Sequence, residues 1–261
     1  MNNFLLLLKK EVWENWVNSK MVIAFSIFAV LAIFLPFSQF DSYYNRIIVQ
    51  SMPATDLLQV FYPTLGTFIL ILVPFIVMGA VASEVKSTTT ASLLVKPVGR
   101  AGYVLSKYLI YLMIFGMSTT IAVLIGAIYA NSLALEPNAF DKIWAIIGLY
   151  WAFIAFAVSL VLFLSTITKS QVLAGTLGFL LLMIAFMLSG TPLDAFVEFL
   201  PTRLILWIQN MYTVYPEDSD MFVSGYGFIR YAPSWSAFWT ALVSSVVFVL
   251  ASIGIIRHKE L

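Results

Sequence analysis

The chain has 261 residues, of which 61% are hydrophobic and 10% are charged, and its formal net charge at pH 7 is +1. Soluble domains carry about 25% charged residues, so this composition excludes a soluble protein and predicts an integral membrane protein. The near-neutral charge does not indicate nucleic-acid binding, and we expect no nucleic-acid partner. Cysteine is absent, which excludes disulfides, thiol nucleophiles and cysteine metal sites.

Six continuous apolar runs are long enough to cross a bilayer, whose core requires about 20 helical residues. They are Met21–Phe37, Phe61–Ala82, Leu109–Ala130, Ile143–Ile167, Val172–Ser189 and Trp235–Ile256. Strands of a membrane barrel would be shorter and would alternate between apolar and polar residues. The sequence therefore predicts an all-α integral membrane protein with six transmembrane helices.

The charges between these runs predict the orientation. Ten of the fourteen basic residues lie in the N-terminal segment, the 83–108 loop, the 168–171 turn and the C-terminal tail. The segments on the other side hold nine of the thirteen acids. By the positive-inside rule, both termini are cytoplasmic and the 190–234 loop is extracytoplasmic.

Residues 1–20 predict an amphipathic helix that lies in the cytoplasmic interface of the membrane. Its apolar side chains recur at helical spacing, while most of its charged side chains lie elsewhere. The predicted apolar face consists of Leu5, Leu8, Val12, Trp13 and Trp16. The alternative is that this segment is only the cytoplasmic start of the first spanning helix.

The loop between the second and third spans comprises residues 83–108. Its sequence predicts a short helical segment that ends at Pro97 and Gly99. Lys96, Arg100 and Lys107 are expected at the membrane surface. This combination of apolar and charged side chains suits docking into a groove of another protein. The alternative is a basic loop that lies on the membrane.

The third span contains small residues at every fourth position, which allows close approach of another helix. They are Ser118, Ala122, Gly126 and Ala130. The partner is either another helix of the same chain or a second copy. Between the fifth and sixth spans, apolar side chains at helical spacing predict two short interfacial helices. A seventh span is disfavoured there by Asp194, Glu198 and Arg203.

The chain carries no recognisable catalytic chemistry. It has no GxxxxGK[ST] phosphate loop, no metal-binding motif and no suitably spaced carboxylate pair, and His258 is its single histidine. We therefore expect no enzymatic activity and no cofactor or metal bound by this chain. Because the predicted spans contain no Asp, Glu, Lys, Arg or His, transport driven by protons or sodium is disfavoured, and an energy source outside the chain is favoured.

The 83–108 loop resembles the corresponding loop of permease subunits in the type-2 ABC exporter family. In that family an acidic residue leaves the second span, followed by Gly-Thr, an apolar run, Pro-Val-x-Arg and a lysine. The matching residues here are Glu84, Thr88, Thr89, Leu93, Leu94, Pro97, Val98, Arg100 and Lys107. The chain departs from the pattern at Thr88, where glycine is usual, and at Lys86 and Ser87, where acids are common. The predicted order of helices over residues 1–261 is also similar to the family, as a single transmembrane domain.

The resemblance implies that this loop is a coupling helix, which docks on a separate ATPase subunit. Two such subunits, carrying ATP and Mg, would assemble with two permeases as a homodimer or a related heterodimer. The chain would then be the permease of an exporter in the cell membrane, with an unidentified, amphipathic or hydrophobic substrate. The alternative is a membrane scaffold that recruits a soluble partner through the same loop without transporting anything.

Overall fold

The computed structural model describes residues 3–17, 19–44, 54–82, 100–134, 140, 142–168, 170–190, 197–211 and 234–258. Regular secondary structure within these ranges is helical, without strands, which confirms the predicted all-α class. The helices are α1 Asn3–Val17, α2 Lys20–Tyr44, α3 Ala54–Val77, α4 Arg100–Leu133, α5 Ile143–Ile167, α6 Gln171–Ser189, α7 Arg203–Asn210 and α8 Trp235–His258.

Five of the described helices contain stretches long and apolar enough to cross a membrane, which makes the chain a multi-pass membrane protein. These stretches are Lys20–Ser38, Arg100–Leu133, Ile143–Ile167, Gln171–Ser189 and Trp235–Arg257. The apolar stretch of α3, Phe61–Val77, is shorter. It ends before the predicted boundary at Ala82, because the chain leaves the helix after Val77 and forms turns over residues 78–81.

The long helices run alternately between two ends of the bundle. At one end, Lys20 Nζ at the start of α2 lies 3.1 Å from Tyr111 Oη, in the first part of α4. At the opposite end, Lys142 Nζ donates to the carbonyl oxygen of Met211, which follows α7. We call these ends the α1 end and the α7 end. The chain enters and leaves the 83–99 segment at the α1 end, between α3 and α4.

Helix α5 forms the centre of the bundle. In the most apolar 18-residue stretch of α5, 78% of the residues are buried. In the same kind of stretch of α2, α6 and α8, 28% are buried. Its largest contact is with α8, where the Phe248 ring lies 6.3 Å from that of Phe156 and 5.3 Å from that of Phe163. Both helices end at the α1 end, so α5 and α8 run side by side in the same direction.

The short helix α7 lies in the loop for which the sequence predicts two interfacial helices. Its side chains Leu204, Ile205 and Ile208 are fully buried. Gly66 of α3 permits this packing, since a Cβ at that position would lie 2.7 Å from Ile205 Cγ2. Helix α7 therefore packs its apolar side into the bundle, where it contacts α3 and α5.

Candidate functional site

The candidate site is the α1 end of the bundle, from which the 83–99 segment emerges. Most residues predicted to form the docking surface lie outside the described residues, namely Glu84, Lys86, Thr88, Thr89, Leu93, Leu94 and Pro97. Their assignment stays a prediction. Arg100 is described, and so are the residues on both flanks of the segment. The geometry of these flanks defines how the segment is attached to the bundle.

The N-terminal flank of the segment is held by the side chain of Ser165, near the end of α5. Its Oγ accepts hydrogen bonds from the backbone N–H groups of Val81 (3.2 Å) and Ala82 (3.1 Å). The same hydroxyl donates to the carbonyl oxygen of Met78, at 2.9 Å. Ser165 is buried, and one donor with two acceptor lone pairs is the full capacity of a serine hydroxyl. The turn that follows α3 is therefore fixed to α5.

The C-terminal flank is held by Arg100, the first residue of α4. Its Nη1 donates to the carbonyl oxygen of Arg257 at 2.6 Å and to that of Ile256 at 3.3 Å. The last carbonyls of a helix lack intrahelical donors, and a cation near them is favoured by the helix dipole. Arg100, which the sequence assigns to the docking surface, thus connects the start of α4 to the end of α8.

A buried ion pair joins α1 to α4. Lys107 Nζ lies 3.1 Å from Glu11 Oε1, and the two side chains are each 3% exposed. The Lys107 ammonium also lies 5.0 Å from the centre of the Tyr103 ring, a cation–π contact. Beside the pair, the Asn15 amide donates to the carbonyl oxygen of Glu11 at 2.9 Å.

The sequence assigns Lys107 to the 83–108 loop at the membrane surface, whereas the structure places it inside a helix and buries it; its depth in the membrane stays a prediction. Helix α4 begins at Arg100 rather than at Leu109, so Lys107 lies about two turns inside the helix. Hydropathy marks only the apolar part of a helix, so the more polar first turns of α4 fall outside the predicted span, which begins at Leu109. Leu7, Glu11 and Asn15 recur at every fourth position and share one face of α1, and all three are buried. This spacing was the sequence signal for a second face of α1 on which Glu11 lies.

The two faces of α1 have different surroundings. Leu7, Glu11 and Asn15 are buried against the bundle. The predicted interfacial face points away from it: Leu8 is half-buried, and the other four residues, Leu5, Val12, Trp13 and Trp16, are exposed. An amphipathic helix on a membrane requires such an apolar outer face. Contact of this face with lipid stays a prediction.

The small residues of α4 lie on its buried side: Ser118, Ala122, Gly126 and Ala130. A Cβ at Gly126 would lie 2.6 Å from Phe61 Cε1 of α3. This row of small residues therefore faces a helix of the same chain at Gly126. At Gly116, also in α4, an added Cβ would lie 2.7 Å from Cζ2 of Trp151 in α5.

At the α1 end, hydrogen bonds and an ion pair of side chains connect the helices. The described residues contain no group of three or more His, Cys, Asp or Glu side chains that could hold a metal ion. What the described residues offer instead is a set of side-chain bonds between helices: Ser165 holds the end of α3, Arg100 holds the end of α8, and Glu11 pairs with Lys107. Sequence reasoning missed the roles of Ser165 and Glu11.

The family model for the ABC-2 type transporter matches residues 2–216 of the chain. The chain is also similar to an uncharacterized transmembrane protein, YxlG of Bacillus subtilis (strain 168). The two are 28% identical over 238 residues, which cover 85% of this chain and 89% of the relative.

Proposed function

Because the chain belongs to the ABC-2 type transporter family, it is the membrane permease component of an ABC transporter, and we propose that it serves an ATP-driven exporter. The family's permease component lacks an ATPase site of its own. In our proposal a separate ATPase subunit, present in two copies, binds ATP and Mg. A second permease, either identical or related, completes the transporter.

The proposal includes six membrane spans with both termini in the cytoplasm. Besides the five apolar helices, α3 has 24 residues, which correspond to roughly 36 Å at the rise of an α-helix. That length is sufficient for a bilayer core of about 30 Å. The distribution of basic residues supports a cytoplasmic location of the α1 end. The ATPase would then meet the 83–99 segment and α1 on the same side of the membrane.

The observation that carries the proposal is the attachment of the 83–99 segment. The Ser165 side chain of α5 binds the backbone of the N-terminal flank, and the side chain of Arg100, on the C-terminal flank, binds backbone carbonyls at the end of α8. These bonds connect the flanks of the segment to helices that are distant from it in the sequence. A partner that binds the segment could therefore displace the bundle itself, which is what coupling to ATP hydrolysis requires.

The proposed cargo is an amphipathic or hydrophobic compound, carried outward between two permeases. Exposed side chains of α2, α6 and α8 are mostly apolar, which suits a path shared with lipid-like molecules. The energy comes from the ATPase subunit, in accordance with the absence of Asp, Glu, Lys, Arg and His from the predicted apolar runs.

Co-purification with a candidate ATPase, followed by measurement of ATP hydrolysis in lipid, tests the coupling segment. We expect Glu84→Gln combined with Leu93→Ala and Leu94→Ala to weaken the association about tenfold, a loss of ~1.4 kcal/mol. Phe199→Ala, at an exposed position on the α7 end, serves as the control and should leave the association unchanged. If the triple variant associates and hydrolyses like the unmodified protein, the segment is not the coupling element. Association that never alters hydrolysis would instead favour the scaffold.

A further inference from the structure

The two flanks of the 83–99 segment are bonded to helices other than the ones they belong to. The turn after α3 is bonded to α5, and the start of α4 is bonded to α8. These bonds connect residues 83 to 157 positions apart in the chain. Any displacement of the segment therefore acts on α5 and α8 as well as on α3 and α4.

The bond network around Ser165 is costly to break. Its hydroxyl satisfies two N–H groups and one carbonyl group in a buried place. A buried donor that loses its partner destabilises the structure, because it is left without a hydrogen bond and without water. The turn at Val81 and Ala82 should consequently move together with the end of α5 rather than slide along it.

The attachment of Arg100 has a different character. Its guanidinium bonds two backbone oxygens at the end of a helix, those of Ile256 and Arg257, whereas Ser165 bonds the backbone of a turn. Backbone acceptors at a helix end have a fixed position relative to the helix axis. The start of α4 is thereby joined to the axis of α8 as a whole.

The two attached helices form one packed unit. Phe248 of α8 contacts both Phe156 and Phe163 of α5, which are about two turns apart. Packed interiors have low compressibility and transmit displacement. A force on either flank therefore reaches the same α5–α8 pair.

We propose that Ser165 and Arg100 are positioning residues that transmit displacement of the 83–99 flanks to the α5–α8 pair. This inference rests on the proposed function. Its new content is the route: the motion passes sideways through two side chains into α5 and α8, in addition to the covalent connections into α3 and α4.

The absence of cysteine from the chain allows a direct test in the assembled complex with its ATPase. An environment-sensitive fluorophore on Leu250→Cys, an exposed position of α8, reports motion of the pair. The same fluorophore on Lys96→Cys, in a separate preparation, reports motion of the segment. Both signals are compared with ADP and with a non-hydrolysable ATP analogue.

We expect both labels to respond to nucleotide in the otherwise unmodified chain. Ser165→Ala and Arg100→Gln should each reduce the response at position 250 about threefold or more, because the coupling free energy they carry is lost. In Ser165→Ala the response at position 96 and the binding of the ATPase should persist. Because the sequence assigns Arg100 to the docking surface, the Arg100 variants are compared at saturating ATPase, by the ratio of the response at position 250 to that at position 96. Arg100→Lys, which keeps a cation near the same carbonyls, should retain part of the response.

Two matched controls separate this role from general damage. Ser159→Ala removes another buried hydroxyl of α5, whose bond goes only to Phe156 of the same helix. Lys142→Gln removes a cation that bonds a backbone carbonyl, that of Met211, at the opposite end. Both controls should leave the response at position 250 unchanged.

The outcomes also separate the inference from the proposed function. If position 96 responds but position 250 does not, or if position 250 responds equally in all variants, the proposed route is wrong and the exporter assignment stands. If neither position responds in the unmodified chain, the coupling role of the segment fails, and the route fails with it. Should Ser165→Ala not assemble, the ratio of the responses at positions 250 and 96 in Arg100→Gln, measured at saturating ATPase, decides.

Discussion

Glu11 and Lys107 determine how firmly α1 is attached to the bundle. Both charges are removed from water, so the loss of one partner leaves the other charge buried without its ion-pair partner, at a cost of about 3–5 kcal/mol. We expect Glu11→Gln or Lys107→Gln to increase hydrogen exchange of the α1 amides strongly. The double exchange Glu11→Lys with Lys107→Glu should restore part of the protection.

A second ion pair of α1 provides the control for this experiment. Lys10 and Glu14 are also 3.1 Å apart, but their side chains are 33% and 40% exposed. Exposed pairs contribute only about 0–1 kcal/mol, so Lys10→Gln should leave the exchange of α1 nearly unchanged. If Glu11→Gln behaves like Lys10→Gln, the buried pair does not hold α1 in place.

The residues that matter at the α1 end differ in how far sequence could predict them. Arg100 was singled out by the Pro-Val-x-Arg pattern, although its described contact is with α8 rather than with a partner. Ser165 could not be predicted, because serine is common in membrane helices and its partners lie 83 and 84 positions away. Lys107 was recognised in the sequence, but its burial was not predicted, since a buried charge depends on a partner that only the fold brings near.

The contact between α3 and α4 depends on the absence of a side chain at Gly126. A Cβ there would lie 2.6 Å from Phe61 Cε1, and Phe61 is fully buried. Overpacking of this kind costs about 1–3 kcal/mol. We therefore expect Gly126→Ala to lower the thermal unfolding temperature of the protein in lipid nanodiscs.

Gly148 of α5 is the matched control for that substitution, because a Cβ there would meet no atom within 4 Å. Alanine is favoured over glycine in helices by about 0.8–1.0 kcal/mol. Gly148→Ala should thus be neutral or slightly stabilising. Equal unfolding temperatures for the two variants would show that Phe61 moves aside without cost.

The apolar runs in the sequence predicted the positions of the helices well, but they predicted the lengths of the helices less well. The predicted fourth span, Ile143–Ile167, coincides with α5, since this helix is apolar throughout and buried. The start of α4 was missed because its first turns contain Arg100, Ser106 and Lys107, which reduce hydropathy while still forming backbone hydrogen bonds. The apolar run ending at Ala82 continues beyond α3 into turns held by Ser165.

The whole molecule is proposed to cross the membrane six times, and single cysteines can establish the number. In intact cells an impermeant maleimide should label Asn45→Cys and Glu217→Cys. It should reach Lys10→Cys and Lys86→Cys only after permeabilisation. The cysteine-free chain is the control. Labelling of positions 45 and 86 from the same side would mean that α3 does not cross, leaving five spans.

Composition and hydropathy were sufficient to predict the membrane class and the helical fold, because a bilayer imposes apolar length on every span. They were insufficient for the connections between helices at the α1 end. Those depend on individual polar groups, such as the Ser165 hydroxyl and the Arg100 guanidinium, whose partners are backbone atoms that have no sequence signature.

The central claim is that a separate ATPase drives export through this chain. The most direct test is uptake of labelled amphipathic peptides and lipids into inside-out vesicles that contain the chain, its ATPase or both. The account predicts uptake only when both proteins and hydrolysable ATP are present. Uptake by the chain alone, driven by an ion gradient and independent of ATP, would contradict it.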